Sequence, residues 1–423
     1  MPASAIVQAG PLRGRAIVPG DKSISHRALI AGARCVRPLR VANLNPGLDV
    51  RATRDALVAL GVGIESSGDD VVVRAGPLRS PPEPLACANS GSTARMLLGV
   101  CAGADVHARF EGDASLRRRP MEPVAAQLRA FGAAIETTFG HLPLEIDGTR
   151  EIQTRRFILL APSAQVKSAL LFAGLFAGVG VNVEGDSGTR DHTERLLHYL
   201  GADVEWDGRS ARLGTAQPQG GAVSVAGDFS SAAFFIAAAA IVPGSAVLVR
   251  DLGANPARTG LLDALSLMGA LVELRNERTL CGEPIADVYV EHRPLAAAEI
   301  DAATALRAVD EIPLIALAAA FAPGTTRIEG VGALRSKESD RIATSQALLA
   351  AAGIEARAEG NALVVCGGVP QWFERPAQTH GDHRIAMTAA VLGAALGPIE
   401  IDDAGCIGVS FPDFLRELAR LQR

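Results

Sequence analysis

The stretch DFSSAAFFIAAAAIVPG, Asp228 to Gly244, decides the fold. From Ala232 to Val242 it is apolar on every side, so it is a helix buried all round rather than one with a wet face. It falls short of the roughly 20 apolar residues that span a bilayer, and Pro243-Gly244 ends it. A polar, capping-type segment, Asp228-Phe229-Ser230, leads into it.

The same device recurs. Asp21-Lys22-Ser23, Asn89-Ser90-Gly91, Pro162-Ser163-Ala164, Asp310-Glu311-Ile312 and Asp382-His383-Arg384 each open an Ala-rich apolar run. The six starts lie 66 to 82 residues apart. A second feature keeps the same period: a more amphipathic helix that ends in Gly, followed by a short alternating strand. It occurs at Leu60-Gly61, Phe131-Gly132, Leu200-Gly201, Met268-Gly269 and Ala352-Gly353. The helix Asp413 to Leu421 is the sixth copy, and Ala5 to Ala9 is expected to supply its strand.

Self-similarity at such a period marks an architecture of stacked units. The expected fold class is therefore α/β, with two similar domains of three units each. A shift near Gly227 marks the middle, which gives domains 21–226 and, taken together, 1–20 and 227–423. The chain then crosses a hinge twice, near Gly20 and near Gly227, an arrangement suited to closing over a ligand.

Composition narrows the function. Hydrophobic residues make up 48% but aromatics only 4%, which suits small, closely packed helices. The net charge of -5 argues against nucleic acid as partner, although a cleft can be locally positive on an acidic protein. Cys35, Cys87, Cys101, Cys281, Cys366 and Cys406 are scattered, with no Cys-x-x-Cys pair, so buried free thiols are expected and a metal site is not. No stretch is long enough to cross a membrane and no signal-peptide pattern opens the chain, so a reduced cytoplasm is expected.

The chemistry sits at the helix starts, where unpaired N–H groups and a partial positive charge already favour anions. Lys22 and Ser23 stand at one such mouth, with Arg27 one turn on. Gly91 lets a ligand approach the backbone in Asn89-Ser90-Gly91-Ser92-Thr93-Ala94-Arg95. Arg117-Arg118-Arg119 is a basic run of which one member is expected to be functional. Ser163-Ala164-Gln165-Val166-Lys167 puts Gln165 on an apolar helix, where a ligand could partner it; Arg190 precedes the next helix. Ser336-Lys337-Glu338-Ser339-Asp340-Arg341 is expected to start a helix from Ser336 as cap, with Lys337 and Arg341 on one face. Arg384 repeats the device. So many cations suggest several anionic groups bound at once, and Asp310 and Glu338 are candidates for proton transfer. No Gly-x-x-x-x-Gly-Lys-Ser/Thr loop is present to support nucleotide hydrolysis.

In this order, Asp21-Lys22-Ser23-Ile24-Ser25-His26-Arg27, Ser336 to Arg341 and Gly381-Asp382-His383-Arg384 resemble the 5-enolpyruvylshikimate-3-phosphate synthase family. The likeness runs from Asp21 to Pro412. Ser163 to Lys167, Arg190 to Glu194 and Asn255-Pro256-Ala257-Arg258 resemble its bacterial class II branch. The resemblance implies three βαβαββ units per domain, an inside-out α/β barrel type. It also implies transfer of the enolpyruvyl group of phosphoenolpyruvate to the 5-hydroxyl of shikimate 3-phosphate by a monomer without cofactor or obligatory metal.

Carried over by motif, Lys22, Ser23, Arg27, Ser163, Gln165, Arg190, Asp310 and Lys337 match shikimate 3-phosphate ligands, and Ala164 is counted among the substrate-binding residues. Lys22, Gly91, Arg119, Gln165, Arg341 and Arg384 match the phosphoenolpyruvate site. Asp310 and Glu338 match the proton-transfer residues, with Lys22 also placed among the catalytic groups. Domain 21–226 would then serve mainly shikimate 3-phosphate, and the other domain phosphoenolpyruvate and proton transfer. One departure is Val409, where class I members carry a Lys before Phe-Pro. Two alternatives stay open: an enolpyruvyl transferase acting on UDP-N-acetylglucosamine, and a non-catalytic anion-binding relative. The first has Lys-Asn where Ser23 follows Lys22 here, and a loop Cys that Arg117 to Pro120 lacks.

Overall fold

A computed structural model describes residues 4–186, 188–372 and 375–423. The chain forms two compact units. One is Gly20–Ala226 together with Thr279–Glu283; the other comprises the N-terminal segment through Pro19, Gly227–Arg278 and Pro284–Arg423. Thr279–Glu283 is an excursion the sequence did not suggest. Its grouping has a physical cause: Glu283 Oε1 lies 2.8 Å from His192 Nδ1, both buried.

The first unit holds α1 (Lys22–Gly32), α2 (Leu48–Ala59), α3 (Gly91–Ala104), α4 (Glu122–Phe131), α5 (Ala164–Ala177) and α6 (His192–Tyr199). The second holds α7 (Phe229–Ile241), α8 (Gly260–Leu267), α9 (Ala302–Arg307), α10 (Ile312–Ala320), α11 (Arg341–Ala351), α12 (His383–Leu396) and α13 (Phe414–Leu421). All 13 residues of α7 are buried, as its all-round apolar sequence requires.

Five of the six repeated starts are capped by a side chain: Asp21, Ser90, Ser163, Asp228 and Asp382 each accept from a backbone N–H of the first turn. The sixth, Glu311 before α10, makes no such bond. After the amphipathic helices, Gly61, Gly132, Gly201, Gly269 and Gly353 all have positive φ, from 71° to 130°. The expected cap at Ser336 is corrected. Ser336 ends a 3₁₀ turn, Val331–Ser336, and α11 starts only at Arg341, where Asp340 accepts from the N–H groups of Ile342 and Ala343. Two acceptable caps lay four residues apart, and Lys337 and Glu338 belong to the loop between them.

The strands form separate small sheets. Each four-stranded one has a parallel pair at one edge followed by two antiparallel neighbours. In the first unit Gly221–Ser224 runs parallel to Leu39–Ala42, which pairs antiparallel with Asp70–Arg74 and then Gly63–Ser67. Leu85–Ala86 and Arg156–Ile158 are the parallel edges of two sheets of the same order. The second unit repeats this twice, with Arg13–Ala16 and Glu299–Ile300 as parallel edges. The sixth unit is reduced to Ala5–Val7 paired with Ile399–Ile401. The barrel type implied by the resemblance thus takes the form of separate sheets, with no closed ring among the described residues.

Small residues let the buried helices touch. A Cβ on Gly99 or Gly103 of α3 would collide with the carbonyl oxygen of Ala169 or Ala173 on α5. The second unit adds an aromatic knot, where Phe235 stacks on Phe414 at 5.3 Å with Phe234 and Phe411 beside them.

Candidate active site

In the first unit, packing of α1, α2, α3, α5 and α6 brings most of the expected groups into two neighbouring clusters. Lys22 Nζ lies 2.8 Å from Asp49 Oδ2 in the first turn of α2. Arg27 is buried and held on every nitrogen: Nε donates to Thr193 Oγ1 (2.7 Å), Nη1 to the Ser23 carbonyl (2.9 Å) and Nη2 to Ser168 Oγ (2.9 Å). Burial pushes its pKa down to about 10, against the pull of Glu194 and Asp21 and helped by the like charge of Arg190. It stays a cation at neutral pH. Burial, then Lys22 and Arg27, hold the His26 imidazole well below its ordinary value, so it is neutral beside Thr53.

The second cluster gathers α3, α5 and the loop after Leu116. Gly91 is the first residue of α3, and Ser92 follows. Gln165 accepts from Arg95 Nη1 and donates to Ser92 Oγ, both at 3.0 Å. The protein itself therefore partners Gln165, and a ligand is not needed to satisfy it. Arg95 Nη2 donates to the Pro120 carbonyl (3.0 Å). Of the three loop arginines, Arg117 and Arg118 are exposed while Arg119 is buried, with Nη2 2.5 Å from Asn89 Oδ1. Ser163 caps α5, Ala164 opens it, and Arg190 stands half-buried just before α6.

In the second unit, the loop before α11 and the starts of α10, α11 and α12 assemble the other group. Asp310 is the hub: Lys337 Nζ is 3.7 Å, Arg341 Nη1 3.4 Å and Arg384 Nη2 3.7 Å from its carboxylate. Glu338 Oε2 accepts from Arg341 Nη2 at 2.5 Å. Asp382 takes Nε of the same arginine at 2.9 Å. Arg341 is only 1% exposed; burial works against its charge, but Asp382, Glu338 and Asp310 outweigh that and raise its pKa. Burial likewise opposes the Asp382 carboxylate, and Arg341 more than offsets it, holding the group below its ordinary value.

Several groups here escaped sequence reasoning. Asp49 and Ser168 carry no spacing signal, and Thr193 and Glu311 appear only inside motifs, with no role of their own. Lys167, quoted only as part of a motif, is buried against Asp186 (2.6 Å) and Glu194 (2.7 Å). Burial alone would lower its pKa, but Glu194 and Asp186 outweigh it and keep it charged. The expectation for cysteine holds in part: Cys35, Cys87 and Cys101 are buried, the other three half-buried, and all are free. Burial pushes Cys101 up to about 12, which makes it unreactive. Among the described residues no group of three or more His, Cys, Asp or Glu could hold a metal ion.

Comparison with known proteins places this geometry. The enolpyruvyl transferase NikO from Streptomyces tendae matches 99% of the chain at a TM-score of 0.75 and 18% identity, so the fold is that of the enolpyruvyl transferases. The EPSP synthase of Acinetobacter baumannii matches at a TM-score of 0.85 and 36% identity, over 99% of this chain and 98% of that one. The sequence profile of EPSP synthase (3-phosphoshikimate 1-carboxyvinyltransferase) matches residues 6–418. Curated 3-phosphoshikimate 1-carboxyvinyltransferases are 45% identical in Anaeromyxobacter sp. (strain Fw109-5), over 96% of this chain and 95% of the relative, and 44% identical in Acidiphilium cryptum, over 96% and 94%. The chain belongs to the EPSP synthase family.

Proposed function

We propose that this chain transfers the enolpyruvyl group of phosphoenolpyruvate to the 5-hydroxyl of shikimate 3-phosphate, releasing phosphate on the route to aromatic amino acids. The observation that carries the reading is Asp310 within 3.4–3.7 Å of three cations, with Glu338 on one of them. Two carboxylates among Lys337, Arg341 and Arg384 suit a reaction that moves protons beside anionic groups.

Asp310, assisted by Lys337, takes the proton of the attacking hydroxyl. Glu338 protonates C3 of phosphoenolpyruvate as the hydroxyl oxygen bonds to C2, giving a tetrahedral intermediate. Glu338 then takes a proton back from C3 as the C2–O bond to phosphate breaks, and the leaving phosphate carries away the proton held by Asp310, which completes the transfer. Arg341 and Arg384, with Lys22, Gly91, Arg119 and Gln165, receive phosphoenolpyruvate. Its carboxylate and phosphate compete with Asp310 and Glu338 for the guanidinium groups of the second unit. Lys22, Ser23, Arg27, Ser163, Ala164, Gln165, Arg190, Asp310 and Lys337 receive shikimate 3-phosphate, which the first unit mainly serves. In that role Arg27 acts through a fixed guanidinium, since three protein acceptors already orient it. No cofactor or metal enters these steps. In this reading the protein works as a cytoplasmic monomer. No helix among the described residues is long and apolar enough to cross a membrane.

Phosphate release with both substrates, and with neither alone, tests the function. Release with UDP-N-acetylglucosamine in place of shikimate 3-phosphate would overturn it, as would no release at all. Sedimentation at micromolar concentration tests the monomer.

A further inference from the structure

Glu311 is buried at 0% exposure beside the proposed proton acceptor Asp310, and the mechanism above does not use it. It stands where the other five repeats place a capping side chain, yet it leaves the first turn of α10 uncapped. Its carboxylate turns sideways instead. Oε1 accepts from Ser230 Oγ at 2.5 Å and from Arg384 Nη1 at 3.5 Å. Ser230 Oγ in turn accepts from Arg258 Nη2 at 2.8 Å, and Arg258 also reaches Asp228 Oδ1 at 3.1 Å. A polar chain thus runs from Arg258 through Ser230 and Glu311 to Arg384, linking the starts of α7, α10 and α12.

The consequence lies in how Arg384 spends its hydrogens. Nη1 carries two, and its two acceptors are Glu311 Oε1 and the Asp310 carbonyl at 3.3 Å. Nε and Nη2 make no hydrogen bond to the described residues, Asp310 Oδ2 lying 3.7 Å from Nη2. A guanidinium can grip a carboxylate or phosphate with two parallel bonds through its Nη1/Nη2 end or its Nε/Nη2 side. With Nη1 engaged, only the Nε/Nη2 side remains for such a grip.

We propose that Glu311 is a positioning residue: held by Ser230 and Arg258, it occupies Nη1 of Arg384 and so fixes the edge with which Arg384 grips the carboxylate or phosphate of the substrate. This rests on Arg384 being a phosphoenolpyruvate ligand, as argued above. Glu311 itself touches no substrate.

The test is a double-mutant cycle on the full chain, read as the KM for phosphoenolpyruvate and kcat. Glu311→Leu removes the acceptor and is expected to raise that KM about 10-fold, the lower end for a hydrogen bond to a charged group. Its kcat should stay within about 3-fold, since uniform binding is lost and not transition-state chemistry. Glu311→Gln keeps an acceptor and should recover most of the affinity. In an Arg384→Lys background, where no planar edge exists to be fixed, Glu311→Leu should change KM less than about 2-fold. Calorimetric affinity for shikimate 3-phosphate should be unchanged throughout. If Glu311→Leu loses its folded structure, Ser230→Ala decides, and KM should rise in the same direction. Additive effects in the cycle, or an unchanged KM in both Glu311→Leu and Ser230→Ala, overturn the proposal. An Arg384→Lys variant with an unaltered KM would instead strike the assignment of Arg384 itself, so the two failures are told apart.

Discussion

Arg341 illustrates why a residue's type says less than its surroundings. A side chain that long, with a permanent charge, is almost never fully buried unless paired. Here it is 1% exposed because Asp382, Glu338 and Asp310 surround it. Asp310 and Glu338 are each about 15% exposed, open enough to meet a ligand. Neutral isosteres, Asp310→Asn and Glu338→Gln, should therefore lower turnover roughly 10²- to 10⁴-fold, the range for a lost general acid or base. Steady-state phosphate release checks this, and near-full turnover in Glu338→Gln would remove it from proton transfer to C3. Arg384→Lys keeps the charge but loses the planar fork. It should weaken apparent phosphoenolpyruvate affinity roughly 10- to 150-fold while calorimetry shows shikimate 3-phosphate binding nearly unmoved. Loss of shikimate 3-phosphate binding instead would mean the two anion pockets are assigned the wrong way round.

Between elements, the repeated buried helices pack through small residues. Gly99 and Gly103 lie one turn apart on α3, and each faces a backbone carbonyl of α5 with no room for a Cβ. A backbone atom cannot swing aside as a side chain can, so the helices themselves must separate. Gly99→Ala and Gly103→Ala should each cost about 1–3 kcal/mol or more, despite the better helix propensity of Ala. Urea unfolding measures this; a gain in stability would show that the helices are less closely apposed. Because α3 and α5 also carry Gly91, Ser92 and Gln165 at their starts, the same variants should weaken phosphoenolpyruvate binding.

Across the whole molecule, each unit buries its own charged network as well as its own core: Lys167 with Asp186 and Glu194 in one, Arg341 with Asp382 in the other. The Asp382 carboxyl is held below its ordinary value of 3.8, so near that pH the unfolded chain binds more protons than the folded one. Its contribution to stability is complete above the ordinary value and is lost as pH falls through the folded one. Denaturant unfolding followed from neutral pH into acid should show stability falling below about pH 4. Asp382→Asn should flatten that fall and cost about 3 kcal/mol at neutral pH, because Arg341 keeps two carboxylates but loses its most buried partner. An unchanged acid slope in Asp382→Asn would place the sensitivity elsewhere.

The period of the apolar runs, the capping residues and the helix-ending glycines were all legible in the sequence. They depend on residues a few positions apart, and local physics sets the cap, the turn and the buried face. That is why Asp21, Ser90, Ser163, Asp228 and Asp382 are found as caps; the pairing of Ala5–Val7 with Ile399–Ile401, nearly the whole chain apart, was legible only through the count of repeats, which left the sixth copy without a strand. The candidate cations and both candidate proton carriers were legible too, as a density of charge at helix starts. What each charge does was not. Whether Arg119 or its neighbours is buried, whether Gln165 is partnered, whether Glu311 caps its helix or turns to Arg384, and whether α11 begins at Ser336 or Arg341 depend on groups 30 to 80 residues away. Those distances collapse only when the units pack, so tertiary structure alone decided them.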